Sequence, residues 1–445
     1  DKRGPTMPRR GFRLGGAIVT VAATFVGFGA PAAAAATGSI ACGTKVVTSV
    51  RLHHDLLGCP GDGLVVGAPG ITIDLNGHTI SGTNAPGREG VADDGYGHVI
   101  VEHGTIRTFF VNGVGLRHAP ASLVHGLTIR AIGSGGVDGQ FSTGIAVDDS
   151  PATRINGNDI SNDVVAFEAD GIVVKTSPGT RIDHNRLNRN SWDGLFVFAS
   201  PLSRVDGNVA DANPNNGMEV NGSSDRTRVT GNETSRNGNV GIAAGAMRRA
   251  VIDWNTAGRN GFGMNAEDTG LFFFDLRDSE VAHNTASRNI VGIDLFGGLH
   301  GSTGNHVVGN VANDNQLIGV VIDTGDGGTL TNGANNNAVV GNVANGNRGS
   351  VVDDGGGIGV FGTGNRIEHN HANGNSANGF LVRTAGNTLI RNVANRNAAH
   401  GIDAVTGTTD GGGNHAHRNQ PPQCLGVVCH DEESAATPLT RTLWE

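Results

Sequence analysis

Residues 181–217 read RIDHNRLNRNSWDGLFVFASPLSRVDGNVADANPNNG, and this stretch contains two copies of one short pattern. In each copy an asparagine is followed five residues later by a second asparagine, and an apolar stretch follows. The second copy starts at Asn208, 23 residues after the first copy starts at Asn185. A repeat of this length is typical of solenoid proteins.

The asparagine pair recurs through most of the chain. The ten consecutive pairs are Asn185/Asn190, Asn208/Asn213, Asn232/Asn237, Asn255/Asn260, Asn284/Asn289, Asn310/Asn315, Asn342/Asn347, Asn370/Asn375, Asn392/Asn397 and Asn414/Asn419. A degenerate copy starts at Asn158, and the mean period from there to the last pair is about 26 residues. The repeat therefore decides the domain organisation of this 445-residue chain.

Short apolar stretches headed by glycine lie between the pairs, as in Gly292-Ile293-Asp294-Leu295. Their alternation has a period of two, and the frequent Gly and Asn residues exclude a sustained helix. One coil of three short strands cannot bury its apolar face alone, so coils must stack at about 4.8 Å. We predict an all-β, right-handed parallel β-helix of about 14 coils. The asparagines are expected to occupy left-handed turn positions and to form hydrogen-bonded ladders.

Four apolar-alternating segments upstream lack the asparagine pairs and are expected to form entry coils: Leu64 to Val66, Ile71 to Ile80, Val99 to Ile106 and Leu123 to Ile129. The segment ITIDLNGHTI at 71–80 resembles the entry coil of bacterial secreted right-handed β-helix repeat proteins of the pectate-lyase-like superfamily. Cys42-Gly43 and Cys59-Pro60-Gly61 are similar to the N-terminal cap of that group. The segment from Pro422 to Cys429 is similar to its closing segment.

That resemblance implies the fold more strongly than an activity. Related β-helices include polysaccharide lyases, hydrolases, epimerases and copper-cluster maturation proteins. Only four methionines and no exposed Cys/His cluster argue against copper. The resemblance spans about residues 42 to 429.

The N-terminus predicts export. Arg9, Arg10 and Arg13 precede an apolar stretch and then an alanine-rich segment ending at Ala36, as in a signal peptide. The Arg9-Arg10 pair also resembles a twin-arginine signal. The expected organisation is a leader and signal peptide at 1–36, a cap at 37–62, the β-helix at 63–419 and a closing segment and tail at 420–445. We expect a secreted protein with no membrane span after cleavage.

The charge of the chain limits the kinds of partner it can bind, and its cysteine content indicates disulfides. Without residues 1–36 the chain keeps 27 basic and 40 acidic residues, a balance that disfavours nucleic acid. The four cysteines, Cys42, Cys59, Cys424 and Cys429, lie near the two ends. Export favours disulfides over metal ligation, although three connectivities are possible.

The longest coils carry the candidate site. Between Gly261 and Phe361 there are eleven acidic residues and three arginines, together with several phenylalanines. Alternation places Asp294 and Phe296 on the outer face, and it places Asp323 there one coil later. We predict Asp294 and Asp323 as a catalytic carboxylate pair roughly 8 Å apart, within the range of inverting glycoside hydrolases.

Reserve acids and supporting residues complete the hypothesis. Asp326 and Asp268 are the reserve acids, and Phe361 joins Phe296 as a candidate substrate-binding residue. A second groove combines Trp192, Asp193, Phe196, Phe198, Glu219 and Lys175. An alternative enzymatic hypothesis lets the acids bind Ca²⁺, with Lys175, Arg277 or Arg383 as the base.

Two functional classes remain open at this stage. One is a secreted enzyme that binds and cleaves extracellular polysaccharide as a hydrolase or lyase. The other is a non-catalytic surface protein that binds glycans or other proteins. The sequence indicates neither an oligomeric state nor a particular sugar.

Overall fold

Parallel strands stack into three long sheets in the computed structural model, which describes residues 40–133, 142–162, 169–261, 268–324, 333–350 and 356–430. The described residues contain no helix. They belong to one unit, Ile40–Glu445, while the unit Asp1–Ser39, with the predicted signal peptide, lies outside them. The solenoid makes about 15 turns, close to the predicted 14.

The strands are short, and each pairs with its equivalents on the neighbouring coils. The first sheet consists of Thr44–Val46, Leu64–Val66, Glu89–Asp94, Asn112–Arg117, Ser142–Asp148, Ala169–Lys175, Leu195–Phe198, Met218–Asn221, Ile242–Arg248, Thr269–Arg277, Val291–Phe296, Ile318–Ile322, Gly356–Val360, Asn378–Val382, Ile402–Ala404 and Cys424–Leu425. The second consists of Val50–Arg51, Thr72–Asp74, Ile100–Arg107, Leu123–Arg130, Arg154–Asn156, Arg181–Asp183, Arg204–Asp206, Arg228–Thr230, Val251–Asp253, Glu280–Ala282, His306–Val308, Ala338–Val340, Arg366–Glu368, Thr388–Ile390 and Thr409–Asp410.

The third sheet is linked to the second because two long strands, Ile100–Arg107 and Leu123–Arg130, run through both. Its other strands are Leu56–Cys59, Thr79–Gly82, Asp159–Ser161, Arg186–Leu187, Val209–Asp211, Glu233–Ser235, Thr256–Gly258, Thr285–Ser287, Val393–Asn395, Asn414–His417 and Cys429–His430. Three of the predicted entry segments are confirmed as strands of these sheets, whereas the segment from Ile71 to Ile80 forms two strands, Thr72–Asp74 and Thr79–Gly82, on either side of a turn.

Inward-facing Ile, Val, Leu and Phe side chains fill the narrow interior. Ile293 and Leu295 are at most 1% exposed, as the alternation predicts. The glycine at the head of each stretch is required by close packing between coils. A Cβ on Gly292 would lie 2.4 Å from the carbonyl oxygen of Gly319 and 2.6 Å from the amide of Asn315, so only glycine fits.

Two ladders of buried asparagines run along the corners of the third sheet, as predicted. In one, the side-chain amide of Asn284 donates to Asn310, which in turn donates to Asn342. The backbone N–H of each member also donates to the next side-chain oxygen. Each amide additionally donates to a backbone carbonyl of a preceding coil, as Asn310 does to Val281 at 2.8 Å. The ladders therefore satisfy both buried side-chain and backbone groups.

The predicted left-handed conformation of the ladder asparagines is wrong. In the described chain, positive φ falls instead on the residue before each asparagine, such as His184 (φ 56°), Trp254 (φ 56°) and Arg259 (φ 62°). The ladder asparagines do not adopt this conformation because their side-chain amides must point inward to bond with those of the neighbouring coils. The preceding residue makes the bend and turns its side chain outward.

A further ladder, which the sequence analysis missed, occupies the corner between the first and second sheets. Serines form its early part, where the N–H of Ser177 donates to the hydroxyl of Ser200 at 3.0 Å. Asparagines form its later part, where Asn305 donates to Asn337 at 3.0 Å. Hydroxyls can replace amides here because both accept the same backbone N–H.

Disulfides join Cys42 to Cys59 and Cys424 to Cys429, one near each end of the solenoid. This selects one of the three connectivities that the sequence left open, and the bridges favour an oxidising compartment. Within the described ranges, no helix has the length and apolar character needed to cross a membrane.

Removing one ladder amide should destabilise the protein strongly. We expect Asn310→Ala to lower the free energy of unfolding by about 3 kcal/mol, because it deletes several buried hydrogen bonds and leaves their buried partner groups without one. Urea denaturation would measure the change. Gln316→Ala, an exposed substitution on the same coil, is the matched control and should change the free energy by less than about 0.5 kcal/mol.

Candidate functional site

The outer face of the first sheet carries two rows of side chains that contain the predicted site residues. The middle row contains Phe196, Glu219, Ala243, Phe272 and Asp294 on five consecutive coils. The outer row lies two residues further along each strand, and its later members are Phe274, Phe296, Asp323, Phe361 and Arg383. Parallel pairing in a constant register stacks these side chains one coil apart.

Asp294 and Asp323 lie on the same face, where the sequence analysis placed them. Leu295 pairs with Ile322, so Asp323 stands opposite Phe296, one coil and two residues from Asp294. Both carboxylates are partly exposed. The Asp323 carboxylate accepts a hydrogen bond from the backbone N–H of Thr324 at 2.6 Å.

Of the two reserve acids, Asp268 lies in the described part of the chain. Asp326 lies outside the described residues. Asp268 is half-buried at the residue before the strand Thr269–Arg277, and burial raises the pKa of its carboxyl. It packs against Gly261 at the corner of the coil rather than in the two rows.

The second predicted groove is also built on this face. Phe196 and Phe198 point outward from one strand, with ring centroids 6.1 Å apart. Lys175, on the preceding coil, places its Nζ 5.9 Å from the centroid of Phe196. Glu219 follows Phe196 in the middle row. Trp192 lies in the turn before this strand, where its side chain is 38% exposed.

A cavity of about 380 Å³ joins the two predicted surfaces into one. Its lining residues are Asn216, Glu219, Ala243, Phe272, Phe274, Asp275, Phe296, Gly298 and Leu299. The ring of Phe272 lies 5.7 Å from that of Phe274 and 5.8 Å from that of Phe296, centroid to centroid. We call this cavity and the two rows beside it the aromatic groove. Small Ala243 leaves the space that separates Glu219 from the phenylalanines.

Phe361 continues the outer row beyond the cavity. It stands opposite Asp323, so that this carboxylate has Phe296 on one neighbouring coil and Phe361 on the other. On the cavity side, Asp275 accepts hydrogen bonds from the backbone N–H groups of Leu299 and His300, at 3.2 and 2.5 Å. Asp275 therefore holds the loop that forms one wall.

Asp193, a member of the second predicted groove, is only 3% exposed, so substrate cannot reach it directly. Its Oδ1 accepts hydrogen bonds from the backbone N–H of Asn216 and the amide of Asn215, both at 2.8 Å. Asn216 donates in turn to Glu219 at 2.9 Å. The backbone N–H of Asp193 itself donates to Asp170 at 3.0 Å. Asp193 thus lies behind Glu219 and positions it through Asn216.

Burial raises the pKa of Asp193 well above its usual range. The charge of Asp170 on the preceding coil adds to this effect, and the charge of Glu219 adds less. The hydrogen bonds from Asn216 and Asn215 oppose it only in part. An ionised Asp193 is therefore a source of destabilisation within the site.

The bases considered for a calcium-assisted lyase do not adjoin the predicted acids. Lys175 lies five coils from Asp294, or roughly 24 Å along the solenoid at 4.8 Å per coil. Arg277 donates to the backbone oxygen of His300, and Arg383 pairs with Asp403 at 3.2 Å. These positions leave the lyase hypothesis without a suitable base among the three residues.

One cluster of metal-ligating side chains escaped the sequence analysis. Glu102, His103 and His125 on the second sheet bring their ligand atoms within 4.8 Å of one another. Glu102 and His103 are adjacent on one coil and His125 lies on the next, so the spacing of 23 residues from Glu102 to His125 was the signal in the sequence. The entry coils lack asparagine pairs, so the register needed to use that signal could not be fixed from sequence.

Residues 130–321 match the family described as periplasmic copper-binding protein (NosD). No curated protein matches the sequence significantly. The chain has the parallel β-helix fold. This confirms the resemblance to bacterial β-helix repeat proteins over the matched residues.

Several solved structures are also similar to this chain. The crystal structure of the periplasmic alginate epimerase AlgG has a TM-score of 0.50 and 12% identity, covering 67% of this chain and 73% of that one. The Azotobacter vinelandii mannuronan C-5 epimerase AlgE6 A-module has a TM-score of 0.42 and 13% identity, covering 86% and 88%. Pectate lyase Pel9A has a TM-score of 0.38 and 14% identity, covering 69% and 70%. At 12% identity, the likeness to the alginate epimerase AlgG concerns the fold alone.

The described part of the matched residues contains no cluster of side chains suited to bind the copper that the family description names. In their described part, no three His, Cys, Asp or Glu side chains bring ligand atoms together as closely as Glu102, His103 and His125 do. That cluster precedes the match. The aromatic groove offers carboxylates and phenylalanines, which are poor ligands for copper.

Neutralising Asp193 should stabilise the protein. Its raised pKa means that the folded state binds more protons than the unfolded state between the unfolded value, about 3.9, and the folded value. Stability therefore falls as pH rises through that window, and the cost is fully present above the folded pKa. We expect Asp193→Asn, which keeps the acceptor oxygen, to raise the free energy of unfolding at high pH by on the order of 1 kcal/mol.

Thermal unfolding from pH 3 to pH 8 would test this prediction. The difference between the variant and the native protein should shrink toward zero as the pH falls below 4. Asp314→Asn, at an exposed turn, is the control and should be neutral throughout. Equal stability of Asp193→Asn and the native protein at pH 8 would contradict the interpretation.

Proposed function

We propose that the aromatic groove binds an extracellular polysaccharide and that Asp294 and Asp323 hydrolyse it. The observation that carries the proposal is the cavity of about 380 Å³, in which three phenylalanines and Glu219 line one space. A mostly apolar cavity with a few convergent polar groups is the usual form of a ligand site. Aromatic faces suit the apolar faces of sugar rings, and carboxylates suit their hydroxyls.

The two carboxylates suit different roles in hydrolysis. We assign Asp323, which lies between Phe296 and Phe361 in the outer row, to activate water. We assign Asp294, which lies between Phe272 and Val321 in the middle row, to donate a proton to the leaving oxygen. One coil and a two-residue offset place the two strand positions roughly 8 Å apart. A similar separation between the carboxylates would leave room for water, so we propose an inverting reaction.

The charges favour a neutral polysaccharide. Glu219, Asp275, Asp294 and Asp323 lie in or beside the groove, and a uronate chain would bring further negative charge against them. The cations that could offset this charge lie away from the centre, because Lys175 is several coils away and Arg383 pairs with Asp403. A neutral chain avoids the repulsion.

The same proposal includes export. The disulfides favour an oxidising compartment, and the predicted signal peptide provides the route. Extended polysaccharides outside the cytoplasm are then within reach of a groove that runs along the solenoid.

Substitution of either carboxylate should abolish cleavage. We expect Asp294→Asn and Asp323→Asn each to lower turnover of a neutral polysaccharide by at least about 10³-fold, because each removes an acid–base group. New reducing ends would be measured on a panel of neutral and uronate polysaccharides, with calcium and with chelator. Asp314→Asn is the matched control. Undiminished cleavage by both variants would refute the assigned pair, and absorbance from an unsaturated uronate would instead indicate a lyase.

Glycan binding without cleavage is the second candidate function. It is favoured by the hydrogen bond that turns the Asp323 carboxylate toward Thr324 of its own loop. A groove that stacks sugars needs no acid–base pair, so this protein would bind glycan but release no reducing ends.

Loss of an aromatic face should weaken binding under either candidate function. We expect Phe296→Ala to lower glycan affinity about tenfold, because it removes one wall of the cavity. Isothermal titration with the polysaccharides of the panel would measure this effect. Leu202→Ala removes an exposed apolar side chain outside the groove and should leave affinity unchanged.

A further inference from the structure

The outer face of the second sheet carries an ordered group of metal ligands that is separate from the aromatic groove. Glu102 and His125 stand opposite each other on adjacent coils, and Asp74 precedes them in the same row. His103 follows Glu102 within the long strand Ile100–Arg107, at a bend where its φ is 55°. We propose that Glu102, His103 and His125 bind one transition-metal ion of the zinc and copper class.

The distances between the ligand atoms of the three side chains support the proposal. His125 Nε2 lies 2.6 Å from one carboxylate oxygen of Glu102, and His103 Nδ1 lies 3.8 Å from the other. In a tetrahedral zinc site with bonds of 2.0–2.1 Å, ligand atoms are roughly 3.3 Å apart. All three ligand atoms already lie within 4.8 Å of one another, so small side-chain rotations would bring them to this spacing.

A second carboxylate lies close to the cluster. Asp74 Oδ1 is 3.7 Å from His103 Nδ1 and accepts a hydrogen bond from the N–H of Asn76 at 2.8 Å, while Asp74 Oδ2 pairs with Arg51 at 3.4 Å. The two imidazole rings are edge-to-face, with centroids 4.8 Å apart. Gly126 leaves space for the His103 ring, because a Cβ there would lie 3.1 Å from its Cδ2. Two carboxylates and two imidazoles therefore converge on one partly exposed position.

Other turn histidines show what the ordinary arrangement looks like. His184 occupies an equivalent turn, and it rests on Gly207 as His103 rests on Gly126. Its Nδ1 is 3.9 Å from Asp183, which corresponds to Glu102. The residue opposite Asp183 on the next coil is Asp206, whereas the residue opposite Glu102 is His125. His184 therefore has the turn geometry without the second imidazole, and this makes it a matched control.

The donor set selects the metal class. Imidazole nitrogen with carboxylate oxygen suits Zn²⁺, Cu²⁺ and Ni²⁺, whereas Ca²⁺ takes six to eight oxygen ligands. Three protein ligands leave a further position for water or another group. Because its ligands come from two coils, the ion would also join those coils.

Calorimetric titration of the tag-free, chelator-treated protein with ZnCl₂ tests the site. We expect one Zn²⁺ per chain. His103→Ala and His125→Ala should each weaken binding at least tenfold, and Glu102→Gln should do so as well. His184→Ala should bind like the native protein. With Cu²⁺ as the probe, electron paramagnetic resonance should show nitrogen coupling from two imidazoles in the native protein and from one in His125→Ala.

Thermal unfolding of each variant without metal verifies that it folds. Absence of stoichiometric Zn²⁺ binding by the native protein would overturn the proposal and leave the cluster as an ion pair. Unchanged affinity in the His103→Ala/His125→Ala double variant would overturn it too, as would equal affinity for Ca²⁺. The result does not depend on glycan binding, so the proposed polysaccharide function can fail without affecting it.

Discussion

The hydrogen bond between one buried asparagine amide and the same amide on the next coil is the constraint on which the structure depends. A buried amide without a partner costs free energy, so each coil must present its asparagine at the same place as its neighbour. This fixes the register of the strands on both sides of the corner. Coil length can nevertheless vary, because Asn310 and Asn342 are 32 residues apart while Asn370 and Asn392 are 22 apart, and both pairs are bonded.

A fixed register turns each strand position into a row along the solenoid. On the outer face a row can change chemistry from coil to coil at little cost, because the ladders and the interior carry the stability. The middle row uses this freedom to place Phe196, Glu219, Phe272 and Asp294 in one line. A site several coils long can therefore arise from single substitutions in a repeating background.

Much of this was predictable from sequence because the repeat supplies its own alignment. The asparagine pairs fix which residues are equivalent, and alternation then assigns Asp294 and Phe296 to the outside. The left-handed residue before each asparagine was not predictable from composition, since histidine, tryptophan and arginine all occupy it. The joining of the two grooves was also missed, because it depends on the small side chain of Ala243 and on a loop held by Asp275. The histidine cluster lies in coils without the asparagine pairs.

The buried acid behind the groove supports the proposal that this face binds a ligand. A soluble solenoid can satisfy its need for polar exposure with exposed charges, which cost little. Asp193 instead lies buried next to Asp170 and behind Glu219, where burial and repulsion oppose its ionisation. Such an arrangement destabilises the fold, and strain of this kind concentrates at functional sites. Asp193 accepts a hydrogen bond from Asn216, which donates in turn to Glu219 in the wall of the cavity. The unfavourable burial of Asp193 therefore helps to hold the Glu219 carboxylate in one position, where a bound ligand could use it.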